Sequence, residues 1–172
     1  MALYRNLKEM APGGALTIGN FDGVHYGHQA LIKRLLAAKY NGAGAAYVVL
    51  FEPHPKEYFA TQGSTSRIMS LRDKYNTLTA LGVDAVFCLR FNSHLAMQTH
   101  ECFYSDMMKF IKPSVFVLGE DFHFGKNRMG NIAYLKSKSK SDNIIVDVLK
   151  HESYKGLRIS SSRIRDALLN ND

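Results

Sequence analysis

Five short apolar runs constrain what this chain can fold into. ALTIG (residues 15–19), AAYVVLF (45–51), DAVFCLRF (84–91) and VFVLG (115–119) are nearly unbroken and rich in β-branched and aromatic residues, and NIIVDVL (143–149) alternates in part. A strand with one wet face alternates apolar and polar residues. A strand without polar positions needs cover on both faces, as in a parallel sheet layered between helices. Helical patterns fill the intervals. HQALIKRLLAAKY (28–40) opens at His28, places Leu31, Leu35 and Ala38 on one stripe, and meets a stop at Asn41-Gly42. SLRDKYNTLTALG (70–82) begins with Ser70 as N-cap, has Asp73 three residues on, and closes at Gly82. Residues 93–111 read as one further helix, ended ahead of Pro113. The alternation predicts an α/β fold: a Rossmann-like, doubly wound parallel sheet of about five strands with flanking helices.

The 172 residues suit one domain with a real core; a chain of this size buries roughly 70% of its unfolded surface. The formal charge of +7 implies anionic partners. It does not choose among nucleic acid, phosphorylated metabolites and a membrane surface. No apolar run is long enough to span a bilayer, and MALYRNLKEM, with Glu9 and no long apolar stretch, is not a secretory signal. Cys88 and Cys102, with no CxxC pairing, read as reduced thiols of a cytoplasmic protein. LKSKSKSD (135–142) reads as a solvated helix end or loop.

Ligands of such sheets bind outside the carboxyl ends of the strands. This singles out the loops at 19–27, 52–69, 92–94, 119–131 and 150–160. In GNFDGVHYGH (19–28), Gly23 and Gly27 permit close approach of backbone and positive φ. The helix start behind them offers free N–H groups for a phosphate, and His25 and His28 can donate to the same anion. The other reading is a tight turn with surface histidines. Nothing completes a four-ligand zinc set. GEDFHFGKN has five residues between Gly119 and Gly125 where a Walker loop has four, and Asn127 stands where Ser or Thr belongs. In RISSSRIRDAL (158–168) the serines 160–162 cap a helix whose first turns carry Arg163 and Arg165. Positive charge there opposes the helix dipole, and a bound polyphosphate reverses that cost. The alternative is a basic amphipathic helix with Ile159, Ile164 and Leu168 turned inward. FEPHPKEYF (51–59) is stiffened around His54 by Pro53 and Pro55. Residues 119–130 combine Phe122 and Phe124 with charges and glycines, either as a lid with rings for a planar ligand or as a surface loop tucking both rings into the core.

These residues resemble a known family. HYGH matches the HxGH signature of nucleotidylyltransferases, and ISSSRIR resembles their second phosphate motif. TIGNFDGVHYGHQALI, FEPHP, LRDKYNTLTALGVD, LGEDFHFGKNRMG and RISSSRIRDAL together, in order from about residue 16 to residue 169, resemble the adenylyltransferase module of prokaryotic FAD synthetase. The resemblance implies transfer of AMP from ATP to the phosphate of FMN, giving FAD and pyrophosphate, with Mg²⁺ and without an enzyme nucleophile. It implies that His25 and His28 hold the phosphates and stabilise the transition state. It sets Ser160, Ser161, Ser162 and Arg165 on the departing phosphates, with Arg158 acting beside them. Gly19, Asn20, Phe21, Gly23 and Ile159 complete the expected ATP contacts. Asn20, Asp22, His54, Pro55, Phe122 and Phe124 are the flavin-side candidates, and Asp121 is expected to place Mg²⁺ or the phosphates.

Family members commonly continue into a riboflavin kinase barrel, and the residues of that module are missing here. The expectation is a single adenylyltransferase domain over residues 1–172 without riboflavin kinase activity. Another nucleotidylyltransferase, or a flavin- or nucleotide-binding module without turnover, are the competing readings. Nucleic-acid binding rests on charge alone, with no reader motif, and neither nucleic acid nor membrane is expected as a partner.

Overall fold

The computed structural model describes residues 2–7, 13–60, 66–154 and 156–170. Six parallel strands form the central sheet: β1 (Ala2–Tyr4), β2 (Ala15–Ile18), β3 (Ala46–Glu52), β4 (Ala85–Arg90), β5 (Val115–Gly119) and β8 (Ile145–Leu149), in the order β1-β4-β3-β2-β5-β8. Two small antiparallel pairs lie outside it, β6 (His123–Phe124) with β7 (Gly130–Asn131) and β9 (Ser153–Tyr154) with β10 (Leu157–Arg158). The helices are α1 (Tyr26–Ala38), α2 (Pro55–Phe59), α3 (Leu71–Ala80), α4 (Ser93–Met97), α5 (His100–Phe110), α6 (Ile132–Ser141) and α7 (Ser161–Leu169).

Both faces of the sheet are covered, which is why its strands carry so few polar residues. On one face Ala15, Val48, Val86 and Val117 pack under Leu31, Ile32 and Leu35 of α1 and Leu78 of α3. On the other, Leu16, Val49, Phe87, Phe116 and Leu118 pack under Phe103 and Met107 of α5 and Leu135 of α6. The chain runs outward from β2 through β3 to β4, then returns to the far side of β2 to form β5 and β8. The direction of winding therefore reverses between β2 and β5. At such a switch point the loops leaving the two strands diverge and open a crevice.

Three details depart from the sequence expectation. A sixth strand exists: β1 is a three-residue edge strand paired only with β4, too short to show a pattern. Helix α1 opens at Tyr26, not at His28, with His25 as its N-cap, and it ends in a turn over Lys39–Ala43 where Gly42 takes φ 108°. The segment 93–111 is two helices, because Thr99 turns extended and its side chain caps Cys102 N at 3.3 Å, restarting the helix as α5. Ser70 caps α3 as its position suggested, accepting from Asp73 N at 3.1 Å.

Phe116 sits on the strand beside the switch point and is 1% exposed. Phe116→Ala is expected to cost about 3–5 kcal/mol of unfolding free energy, read from urea unfolding at neutral pH.

Candidate functional site

A cleft of about 340 Å³ opens at the switch point, above the carboxyl ends of β2 and β5. Gly19, Asn20, Phe21, His25 and His28 line it from the β2–α1 connection, Gly119 from the end of β5, Asp121 and Phe122 from the loop that follows, Arg158 from β10, and Ser160–Ser162 and Arg165 from the cap and first turns of α7. A larger groove of about 780 Å³ lies against Arg34, Asn41, Ser114 and Asp147, at the amino ends of β5 and β8. Among the described residues it holds the exposed Arg34–Asp147 ion pair and no cluster of reactive groups.

The β2–α1 connection is tightly specified. Phe21 and Val24 take φ of 50° and 36°, left-handed values rare for side-chain-bearing residues, and both side chains are buried. Gly23 takes φ 83°, and a Cβ there would meet Ile68 at 3.0 Å. Gly27 lies inside α1 with no positive φ, so its role is close approach: a Cβ would stand 3.3 Å from the His25 ring. That glycine lets the two imidazoles lie face to face, 3.7 Å between centroids and 15° between planes. His25 Nδ1 accepts the His28 backbone N–H at 3.4 Å, so its proton is assigned to Nε2.

Both histidines are neutral at neutral pH. Burial, the neighbouring His25 and Lys74 push the His28 pKa down to about 3. Burial and then Arg158 lower that of His25, against the pull of Asp22. His28 Nδ1 and Asn20 Oδ1 are buried without a protein partner, leaving two polar atoms at the cleft wall available to a ligand or water.

The start of α7 is pinned to the β2 loop. Ser160 caps the helix, accepting Arg163 N at 3.3 Å, and Ser161 Oγ donates to Asp22 O at 2.8 Å. Arg165 Nη2 reaches Asp22 Oδ2 at 2.5 Å and Arg165 Nε donates to Ser66 O at 2.6 Å. The two side chains are 11% and 5% exposed. Asp22 also accepts Ile68 N and Met69 N, each at 3.2 Å. Burial works to raise the Asp22 pKa, but Ile68 N–H, Arg165 and Lys74 outweigh it and hold the carboxyl below its ordinary value.

Several candidates sit differently from their expected places. Asp22 is buried behind the cleft and does not line it, and Gly23 packs on Ile68. Pro55 is the first residue of α2, away from the cleft, while His54 lines it and spends Nδ1 capping Lys56 N at 2.9 Å. Phe124 is buried in the core against Phe103 and stacks on Phe122 at 5.4 Å; only Phe122 reaches the cleft. Asp121 is paired with Arg158 Nη1 at 2.5 Å and His151 Nε2 at 2.8 Å, and Arg158 before any other cause holds its pKa down. Among the described residues no group of three or more His, Cys, Asp or Glu is arranged to hold a metal ion.

Sequence reasoning missed Lys56, Lys150, His151 and Glu152 at the cleft and Lys74 behind it. His151 and Glu152 lie in the 150–160 loop already singled out by strand order, which was the signal available for them.

A glycine-pinned histidine pair and a serine-capped helix start face one another across the switch-point cleft of an α/β domain. The chain matches the FAD synthetase family over residues 7–163, and it belongs to that family. It is 38% identical over 97% of its length to a bifunctional riboflavin kinase/FMN adenylyltransferase of Haemophilus influenzae, and 38% identical over 98% to that of Escherichia coli K12. The chain spans about half the length of the curated relatives it matches, 54% and 55% of these two. Among solved structures it resembles one from Streptococcus pneumoniae described as a macrolide-efflux protein, with TM-score 0.86 and 25% identity over 97% of this chain and 55% of that one. A pantothenate synthetase of Thermus thermophilus shares the fold at TM-score 0.62 and 13% identity, covering 95% of this chain and 67% of that one. No helix among the described residues is long and apolar enough to cross a membrane.

The low His28 pKa ties stability to pH. Below the ordinary histidine value near 6.5 the unfolded chain binds a proton that the folded site, at about 3, refuses. Stability present above pH 6.5 is therefore lost as pH falls toward 3. His28→Asn removes that titration. Its unfolding free energy is expected to drop less than that of the parent between pH 7 and pH 4, by on the order of 3 kcal/mol, as measured by urea unfolding at both pH values.

Proposed function

We propose that this chain transfers AMP from ATP to the phosphate of FMN, releasing FAD and pyrophosphate. The observation that carries the reading is the pair of helix starts, α1 and α7, that meet at one cleft with two neutral imidazoles between them. The names of the relatives this chain matches supply FMN as acceptor and the adenylyl group as what is transferred.

An oxygen of the FMN phosphate attacks the α-phosphorus of ATP. The new P–O bond forms as the bond to the β-phosphate bridge breaks, and pyrophosphate departs with the electron pair. No residue is adenylylated on the way, so the protein contributes positioning and charge stabilisation. His25 and His28 donate ring N–H bonds to the reacting phosphates. Because they are neutral at rest, they stack without repulsion and gain basicity as phosphate charge arrives. The α7 N–H groups, Ser162 and Arg158 hold the departing phosphates. Arg158 reaches them by exchanging Asp121 for phosphate. His54 and Phe122 take the flavin side.

Mg²⁺ fits this cleft only as a phosphate-borne ion. It would take substrate phosphates and water with one or two carboxylates, and Asp121 and Glu152 are the carboxylates that line the cleft among the described residues. Bound there, it neutralises phosphate charge. We assign residues 1–172 to this one step as a single domain, with riboflavin phosphorylation outside them, and the use of ATP and FMN supports a cytoplasmic setting.

The test incubates the purified chain with ATP, Mg²⁺ and either FMN or riboflavin, followed by chromatography. FAD and pyrophosphate are expected from FMN and nothing from riboflavin. A folded protein that binds both ATP and FMN yet forms no FAD would sink the reading.

A further inference from the structure

Lys74 is a buried charge outside the cleft lining. It sits on α3, its residue is 6% exposed, and it belongs to no ion pair among the described residues. Burial lowers its pKa, while Asp22 and then Glu52 oppose that shift and favour the ammonium. Both carboxylates already have closer partners. Asp22 is held by Arg165 at 2.5 Å. Glu52 shares Arg67 with Glu57, each at 2.6 Å. The three carboxylates Asp22, Glu52 and Glu57 are matched by Arg165, Arg67 and Lys74, so the wall behind the cleft is neutral only while Lys74 is charged.

Arg165 has two allegiances. It is the partner of Asp22, and it also lines the cleft. An arriving phosphate competes with Asp22 for the same guanidinium. If Arg165 turns toward the phosphate, Asp22 is left 5% exposed with its counter-ion gone, and a lone buried charge is costly. Ile68 and Met69 N–H remain as its donors but carry no full charge. Lys74 stands in the first turn of α3, directly after the Ile68–Met69 segment whose N–H groups hold Asp22, and its charge favours the Asp22 carboxylate.

We propose that Lys74 is a positioning residue for phosphate binding: it takes over the Asp22 carboxylate when Arg165 is drawn onto a bound phosphate. It touches no substrate and acts through Asp22 and Arg165. The inference rests on the reading of the cleft as a nucleotide site.

Calorimetric titration with ATP and with inorganic tripolyphosphate tests it on the full chain, without turnover. Lys74→Met is expected to weaken both ligands at least tenfold, and Lys74→Arg to recover most of that loss. The discriminating measurement is made against Asp22→Asn, where no carboxylate needs a successor. There, adding Lys74→Met is expected to change affinity less than twofold. The double variant removes one carboxylate together with one ammonium and so keeps the charge balance of the wall, which lets it answer even if Lys74→Met by itself fails to fold. A tenfold loss in the Asp22→Asn background, or Lys74→Met protein binding like the parent, overturns the Lys74 proposal while parent binding keeps the nucleotide site. A parent chain that binds neither ligand overturns both.

Discussion

The ion pair between Asp22 and Arg165 is the constraint on which the site depends. It joins residues 143 positions apart and does so in a nearly sealed environment. Around it the β2–α1 loop, the segment at Ile68 and Met69, and the first turn of α7 are held in one register. Losing one member of a buried pair typically costs 3–5 kcal/mol, because the other is left uncompensated. The pair thus ties the two halves of the cleft to one another, and to the α3 side of the sheet.

Its chemistry also sets the resting charge of the cleft. The +7 of the chain suggests a strongly positive site, but the cleft is close to balanced. Arg165 is spent on Asp22, Arg158 on Asp121, and both histidines are neutral. The cleft's two arginines are thus held in ion pairs at rest, beside Lys56 and Lys150 in the same lining. An ion-paired cation ready for exchange selects for ligands that can pull it away, which phosphate groups do through charge-assisted, often bidentate bonds.

Much of the fold was legible because a parallel sheet buries both of its faces. The runs at 15–19, 45–51, 84–91 and 115–119 could hardly be anything else once helical patterns were found between them. Strand β1 was not legible, since three residues on an edge carry no period. The break at Thr99 was hidden because an N-cap threonine inside a helical stretch carries no glycine or proline to announce it. At the site, the rule that ligands bind beyond the carboxyl ends of strands located His25, His28, Asp121, Arg158 and Ser160–Ser162 around one cleft. What a side chain faces within a loop was beyond it. Phe122 and Phe124 are two residues apart, yet one lines the cleft and the other fills the core. Asp22 and Arg165 could each be marked, but their partnership depends on tertiary folding and has no local signal.

Helix α7 supplies one wall of the cleft and buries no residue of its own completely. Leu168 and Leu169 are 63% and 74% exposed. Its anchorage is polar, through Ser161, Arg165 and the backbone of Asp22 and Ser66. The sheet, its two hydrophobic layers and the histidine pair are all encoded before residue 161. A chain emerging in sequence order thus has its packed layers encoded first and the second wall of its cleft last, in a single short helix fastened on by charge.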